Sequence, residues 1–193
     1  PLLDAVALAA QQAGIPASDD FNRGNNDGVG YFEVNQKRGV RWNASKAFLR
    51  PVAQRKNLEV RTGAMVSRVL IENKRATGVQ ARIDGVEGKF IARREVILCG
   101  GAINSPQLLM LSGIGPADEL RRHRIEVVHD AAQVGGNLQD HLDICTLQHS
   151  TQPITYDRIN EPKMAFDYFL RGHRGAGSSN LAEAGGFFRS PLA

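Results

Sequence analysis

Apolar side chains recur at helical spacing from the start of the chain. Leu2, Leu3, Val6, Ala9, Ala10 and Ala13 share one face, and Gly14 followed by Pro16 supplies a stop. Asp19 to Gly30 is dense in Asn, Asp and Gly, the composition of a loop. A second helical pattern runs from Ala44 to about Arg55, with Asn43 or Ser45 near its cap. Pro51 disfavours helical geometry in the residue before it, which predicts an end at Arg50. The character then changes to strand. Leu58–Thr62, Met65–Glu72, Ala76–Ile83, Lys89–Ala92 and Glu95–Leu98 are alternating or β-branched, and Gly63, Asn73-Lys74, Asp84-Gly85 and Gly88 punctuate them. Turns this short predict an antiparallel meander. Val96-Ile97-Leu98-Cys99 is continuously apolar, as in a strand buried on both faces, with Cys99 as a small buried side chain. It meets Gly100-Gly101, then Asn104-Ser105-Pro106 as cap and first helical residue, then the helical pattern Leu108, Leu109, Leu111.

Composition narrows the class without naming a function. The chain has 193 residues, 42% hydrophobic and 23% charged, an ordinary globular balance that excludes wholesale disorder. The apolar runs fall far short of the roughly 18–20 residues of a membrane span. No signal peptide is visible, although the chain opens on Pro1 rather than Met, so secretion stays open. Two cysteines, Cys99 and Cys145, are too few for a disulfide framework and lack metal-ligand spacing. The net charge of +4 is scattered apart from Arg93-Arg94 and Arg121 to Arg124, and no aromatic-rich basic stripe accompanies it, so no nucleic-acid partner is expected. His123, His129, His149 and His173 show no metal spacing either.

The strand–glycine turn–helix unit is where chemistry is expected. Paired glycines let the backbone approach a ligand closely, and a helix N-terminus offers free N–H groups with partial positive charge. In open α/β sheets ligands sit at the carboxyl ends of strands, where this turn would lie. The same residues could also serve only to turn and cap.

The stretch from Gly101-Ala102-Ile103-Asn104-Ser105-Pro106 through Leu111-Ser112-Gly113-Ile114-Gly115 resembles the second signature of the glucose–methanol–choline (GMC) oxidoreductases, flavoenzymes that oxidise alcohols with FAD. Similar phrases flank it. Upstream are Arg41 to Pro51 and Asn57 to Val60. Downstream are Val134-Gly135-Gly136-Asn137-Leu138-Gln139-Asp140-His141 and Ser179 to Phe187. Gly136 departs from the Glu that relatives commonly carry. The resemblance covers essentially the whole chain and is nearest the choline dehydrogenase and alcohol dehydrogenase branch. No G-x-G-x-x-G turn for the ADP half of FAD is found, and nothing resembles the late segment that carries the family's catalytic histidine. The chain is therefore expected to be an internal segment of a longer flavoenzyme, inactive alone.

The resemblance implies site residues. Val66 aligns with a position whose backbone meets the adenine end of FAD, though a plain strand valine explains it equally. Cys99, Gly100 and Gly101 would lie against the cofactor, with Asn104 and Ser105 opening the adjoining helix. Asn137, Asp140 and His141 look like the family's N-x-x-D-H element. Adjacent residues of an extended strand face opposite ways, so Asp140 and His141 are read as structural or flavin-proximal and not as the catalytic base. Glu183, followed by Phe187 and Phe188, matches a glutamate that helps bind quaternary ammonium in the choline branch, with an ion partner or a solvated turn as the alternative. Ser112 with Asp140 and His141 lacks a nucleophile-elbow context and is discounted as a triad.

The fold class expected is α+β: part of an FAD-binding α/β domain over residues 1–150 (the meander plus the strand–turn–helix), then the start of an antiparallel-sheet substrate domain over 151–193. The break is placed near Gln148 to Pro153. The implied function is FAD-dependent oxidation of a primary, choline-like alcohol to an aldehyde. In it, a histidine outside this chain takes the hydroxyl proton as hydride passes to flavin. A catalytically inert truncated chain or binding module is the alternative; exposed apolar faces would then favour self-association. The electron acceptor is not readable. A cytoplasmic location or peripheral contact with an inner membrane is expected.

Overall fold

A computed structural model describes residues 2–147 and 149–189. In chain order the elements are α1 (Leu2–Gln12), β1 (Gly28–Tyr31), β2 (Gln36–Lys37), β3 (Val40–Arg41), β4 (Ala64–Glu72), β5 (Arg75–Ile83) and β6 (Val86–Ile91). There follow α2 (Gly101–Leu111), β7 (Ile114–Gly115), α3 (Ala117–Arg122), β8 (His129–Asp130), α4 (Glu161–Leu170) and β9 (Ala184–Phe187). The contacts divide the chain into two units. One joins Pro1–Leu58 with Thr146–Ala193, and the other is Glu59–Cys145. The expected break opens on Gln148, which lies outside the described residues.

The Glu59–Cys145 unit is built on the meander that the turns predicted. β4, β5 and β6 pair antiparallel in that order, Val69 opposite Val79 and Val79 opposite Phe90. Both connections are two-residue turns with positive φ at each position: Asn73 at 50° and Lys74 at 63°, then Asp84 at 50° and Gly85 at 84°. These values match the handedness of twisted hairpins, which is why Asn, Asp and Gly stand there. Gly78 is required for space, since a Cβ there would lie 2.2 Å from the Phe90 carbonyl oxygen.

The helix α2 packs on β4. Its C-terminal residue contact is specific. Buried Ser112 donates from Oγ to the Leu108 carbonyl at 2.6 Å and accepts the Val69 N–H at 2.8 Å. Gly113, at φ 84°, then ends the helix, and its backbone accepts from Val128 and His129 beside the short parallel pair β7–β8. Leu120 of α3 is the most deeply buried large side chain described, 1% exposed.

Four local expectations are corrected. Leu58–Thr62 forms no strand among the described residues, and the second helix is a π turn over Ser45–Leu49 followed by a 3-10 turn over Arg50–Val52 that contains Pro51. Proline cannot donate the α-helical bond, so the chain there tightens. The 95–99 run forms no strand among the described residues; Val96 and Leu98 are half-buried, whereas Ile97 is 73% exposed and Cys99 is exposed, not buried. Burial on both faces needs flanking strands and covering helices, and none of the described residues supplies them. Finally, α2 starts a turn earlier than expected, at Gly101 with Gly100 as its cap, so Pro106 sits inside it.

The other unit pairs β1 with β9 antiparallel, Gly28 opposite Phe187 and Tyr31 opposite Ala184. Phe21, Phe32 and Phe187 cluster beside that pair with ring centroids 5.4–6.2 Å apart. α1 ends as expected at Gln12, with Gly14 at φ 91°. Asp4 on α1 accepts from Tyr31 Oη at 2.6 Å. That bond holds the Asp4 carboxyl below its usual range and raises the Tyr31 hydroxyl. On α4, capped by Asn160, the Asp167 carboxylate is bonded first by Lys163 and also by Arg171, which lowers its pKa despite partial burial.

Ser112→Ala removes the acceptor of a buried backbone donor. It is expected to cost about 1–3 kcal/mol, read as a lower urea midpoint. An unchanged midpoint would show that Val69 finds another partner.

Candidate active-site cleft

The meander edge, the 95–100 segment and α2 enclose a cleft of about 580 Å³ in the Glu59–Cys145 unit. Val66 lines it from β4, Cys99 and Gly100 from the segment, and Asn104 and Ser105 from the helix. Five residues expected at a cofactor from sequence thus meet in one place. Their convergence has a simple local cause. On α2, positions 104, 107, 108 and 111 recur at helical spacing and face one way, and the Gly100-Gly101 turn brings the segment back beside them.

The walls are apolar, with Val66, Ile97, Leu98, Leu108 and Leu111, and the polar groups Asn104, Ser105 and Gln107 gather at the helix. That is the ordinary make-up of a small-molecule site. Ser105 Oγ accepts the Gly100 N–H at 2.9 Å and fixes the turn. Among the described residues no side chain caps the first turn of α2, which leaves its N–H groups to an anionic ligand. Gly101 adopts φ 80°, and a Cβ on Gly100 would lie 3.1 Å from the Asn104 Cβ and 3.2 Å from the Ser105 nitrogen. Gly101 is therefore set by its backbone conformation and Gly100 by the closeness of the helix that follows.

Other expected residues lie apart. Asn137, at φ 54°, lines a second cleft of about 750 Å³ on another side of α2, with Pro106, Met110 and Gly135. Gln107 borders both clefts. Asp140 and His141 line neither. Their side chains are fully exposed, Asp140 Oδ1 accepts the His141 backbone N–H at 2.8 Å, and the ring nitrogen Nδ1 stands 4.0 Å from the carboxylate. Ser112 is taken up by the helix–sheet bridge, consistent with its exclusion as a nucleophile.

Glu183 belongs to the other unit, just before β9. It is half-buried, and its backbone carbonyl accepts from Phe32 at 2.9 Å. Its Oε1 lies 3.2 Å from Tyr156 Oη, which is also 2.7 Å from Ser179 Oγ. It forms no ion pair among the described residues, and its negative charge adds to the upward shift of Tyr31. Sequence reasoning missed Gln107 and Tyr156. Gln107 was signalled by its three-residue spacing from Asn104; Tyr156 had no local signal, because 27 residues separate it from Glu183.

An apolar cleft beside a helix N-terminus and a glycine turn has the make-up of a small-molecule site. Residues 1–143 match the GMC oxidoreductase family, and the chain belongs to it. It is 46% identical to mitochondrial choline dehydrogenase of Mus musculus, over 98% of this chain and 32% of that protein. It is 41% identical to alcohol dehydrogenase [acceptor] of Pseudomonas putida, over 98% of this chain and 36% of that protein. The chain thus spans about a third of the length of these curated relatives. Formate oxidase of Aspergillus oryzae RIB40, a protein studied for its FAD modification, superposes with a TM-score of 0.77 at 28% identity, covering 98% of this chain and 34% of its own. The mixed helix-and-sheet fold is that of this family, and FAD is supported as the cofactor. The cleft fits such a group: apolar walls for ring systems, and backbone N–H groups for phosphate.

Gly101→Val places a β-branched residue at φ 80°, a conformation such residues essentially do not adopt. The full-length protein carrying it is expected to purify with well under half the normal ratio of flavin to protein absorbance, while its far-ultraviolet circular dichroism is kept. A normal flavin ratio would remove this turn from the cofactor site.

Proposed function

We propose that this chain is the middle segment of an FAD-dependent dehydrogenase that oxidises a primary alcohol, choline or a close analogue, to an aldehyde. The observation that carries the reading is the cleft that gathers Val66, Cys99, Gly100, Asn104 and Ser105 around the start of α2. Bound there, FAD supplies a hydride acceptor. The chain's own contributions are of another kind. Val66 and the apolar wall exclude water, the α2 N-terminus and the glycine turn offer backbone donors, and Asn104 and Ser105 supply polar contacts at the helix. Asn137, Asp140 and His141 are assigned to the flavin-proximal surround.

Glu183 is assigned to substrate binding. A half-buried carboxylate hydrogen-bonded but not ion-paired retains its charge for a quaternary ammonium, and the names of the choline dehydrogenases support that substrate class. Residues 1–150 are assigned to the FAD-binding part and 151–193 to the start of the substrate domain. Identity running over 98% of the chain, with the cleft's glycines and helix intact, favours an enzyme segment over an inert module. No helix among the described residues is long and apolar enough to cross a membrane; a cytoplasmic or membrane-peripheral place is proposed.

In the full-length enzyme, Glu183→Gln is expected to lower kcat/KM for choline on the order of tenfold more than for a neutral alcohol. That is about 1–2 kcal/mol of charge attraction after screening at a half-buried site. Equal losses would remove Glu183 from the substrate site. The 193-residue chain alone, mixed with FAD and choline, is expected to leave the flavin absorbance unchanged; bleaching under anaerobic conditions would show that the missing residues are not needed for the chemistry.

A further inference from the structure

Two carboxylates of the same unit are handled differently. Asp167 is discharged by two cations, Lys163 and Arg171. Glu183 receives only a neutral donor, the Tyr156 hydroxyl, and no cation among the described residues. The first arrangement serves the fold. The second fixes a carboxylate in place and leaves its charge uncancelled.

We propose that Tyr156 is a positioning residue for the Glu183 carboxylate. It is the last donor of a one-way hydrogen-bond chain that runs from the Leu181 backbone through Ser179 and holds the carboxylate for a quaternary ammonium substrate. The proposal rests on the assignment of Glu183 to substrate binding made above.

The direction of the chain follows from proton count. The Leu181 N–H donates to Ser179 Oγ at 2.9 Å. Ser179 then has its one hydroxyl proton to give, and Tyr156 Oη lies 2.7 Å away. Tyr156 likewise has one proton, and an ionised carboxylate can only accept. The arrangement that satisfies every bond has Ser179 donating to Tyr156 and Tyr156 donating to Glu183 Oε1 at 3.2 Å. A fixed amide at one end and a carboxylate at the other allow no reversal.

The backbone around the chain is specialised for this. Leu181 holds φ 70°, a left-handed conformation costly for leucine that persists only where surrounding contacts over-determine it. Asn180 Nδ2 braces the turn by donating to the Ala182 carbonyl at 3.0 Å. A 3-10 turn over Ala176–Ser178 delivers Ser179, and another over Tyr156–Arg158 delivers the tyrosine. Glu183 is tied through its own carbonyl to Phe32. Four separate elements thus set one carboxylate.

The test uses the full-length, flavin-loaded enzyme and two alcohols of the same shape, choline and its uncharged carbon isostere 3,3-dimethylbutan-1-ol. Tyr156→Phe keeps the ring and removes the hydroxyl. The expected result is a rise in KM for choline of about tenfold, the order set by one hydrogen bond to a charged group. The kcat for choline and both constants for the neutral alcohol stay near their parent values. Ser179→Ala is expected to shift choline in the same direction by less, and Ser179→Thr, which keeps a hydroxyl, to restore it. If Tyr156→Phe does not retain flavin, Ser179→Ala carries the test by the same comparison. Equal changes for the two alcohols, or none, overturn the proposal. A choline-selective loss in Glu183→Gln without one in Tyr156→Phe overturns the positioning role alone. No selectivity in Glu183→Gln overturns the assignment beneath it as well.

Discussion

A single serine hydroxyl couples the two halves of the cleft between the meander and α2. Ser112 ends α2 by donating to Leu108 and, through the same oxygen, accepts the outward N–H of Val69 on the meander's edge strand. An edge strand presents unpaired backbone groups that must be covered or hydrated, and a buried donor left unpaired is costly. Satisfying Val69 from the helix end therefore fixes where α2 lies against β4. That placement in turn sets Val66 on one wall of the cleft and Asn104 and Ser105 on the opposite one. Gly113 completes the arrangement, because a Cβ there would lie 2.4 Å from the Glu126 carbonyl oxygen. The site thus depends on a helix terminus as much as on the residues that line it.

The glycine pair shows how local and tertiary demands divide at the site. Gly101 is needed for its φ, whatever surrounds it, since nothing lies within 4 Å of where its Cβ would stand. Gly100 adopts an ordinary φ of −82° and is needed for the closeness of the helix that follows. Neighbouring glycines in one turn thus answer to different constraints. The same turn leaves the first N–H groups of α2 without a side-chain cap, and a phosphate-bearing cofactor is the natural partner for such a terminus.

In the unit that carries Glu183, charge has two uses. Asp167 sits under Lys163 and Arg171 and ties together the turns of α4, a role that demands neutralisation on partial burial. Glu183 accepts from an uncharged hydroxyl and forms no ion pair among the described residues. Asp4 offers a third case, paired to the Tyr31 hydroxyl across α1 and β1. Residue type alone does not distinguish these carboxylates; their donors do.

The amino-acid sequence by itself determined whatever is governed by neighbours a few residues apart. The two-residue turns at Asn73-Lys74 and Asp84-Gly85, the three meander strands, the end of α1 before Gly14 and the glycine turn at Gly100-Gly101 were all readable, because each depends on φ preference or local periodicity. The family phrases from Gly101 to Gly115 carried the rest of the functional reading. Tertiary structure alone decided four other matters. It left Ile97 and Cys99 exposed on a segment that forms no strand, because burial on both faces needs strands and helices that no local pattern supplies. It drew the start of α2 back to Gly101 and made Ser112 the bridge between α2 and β4. It placed Asn137 at one cleft and left Asp140 and His141 in solvent. It brought Tyr156 to Glu183 across 27 residues, a separation at which no propensity or periodicity acts and only the closing of the chain sets the distance.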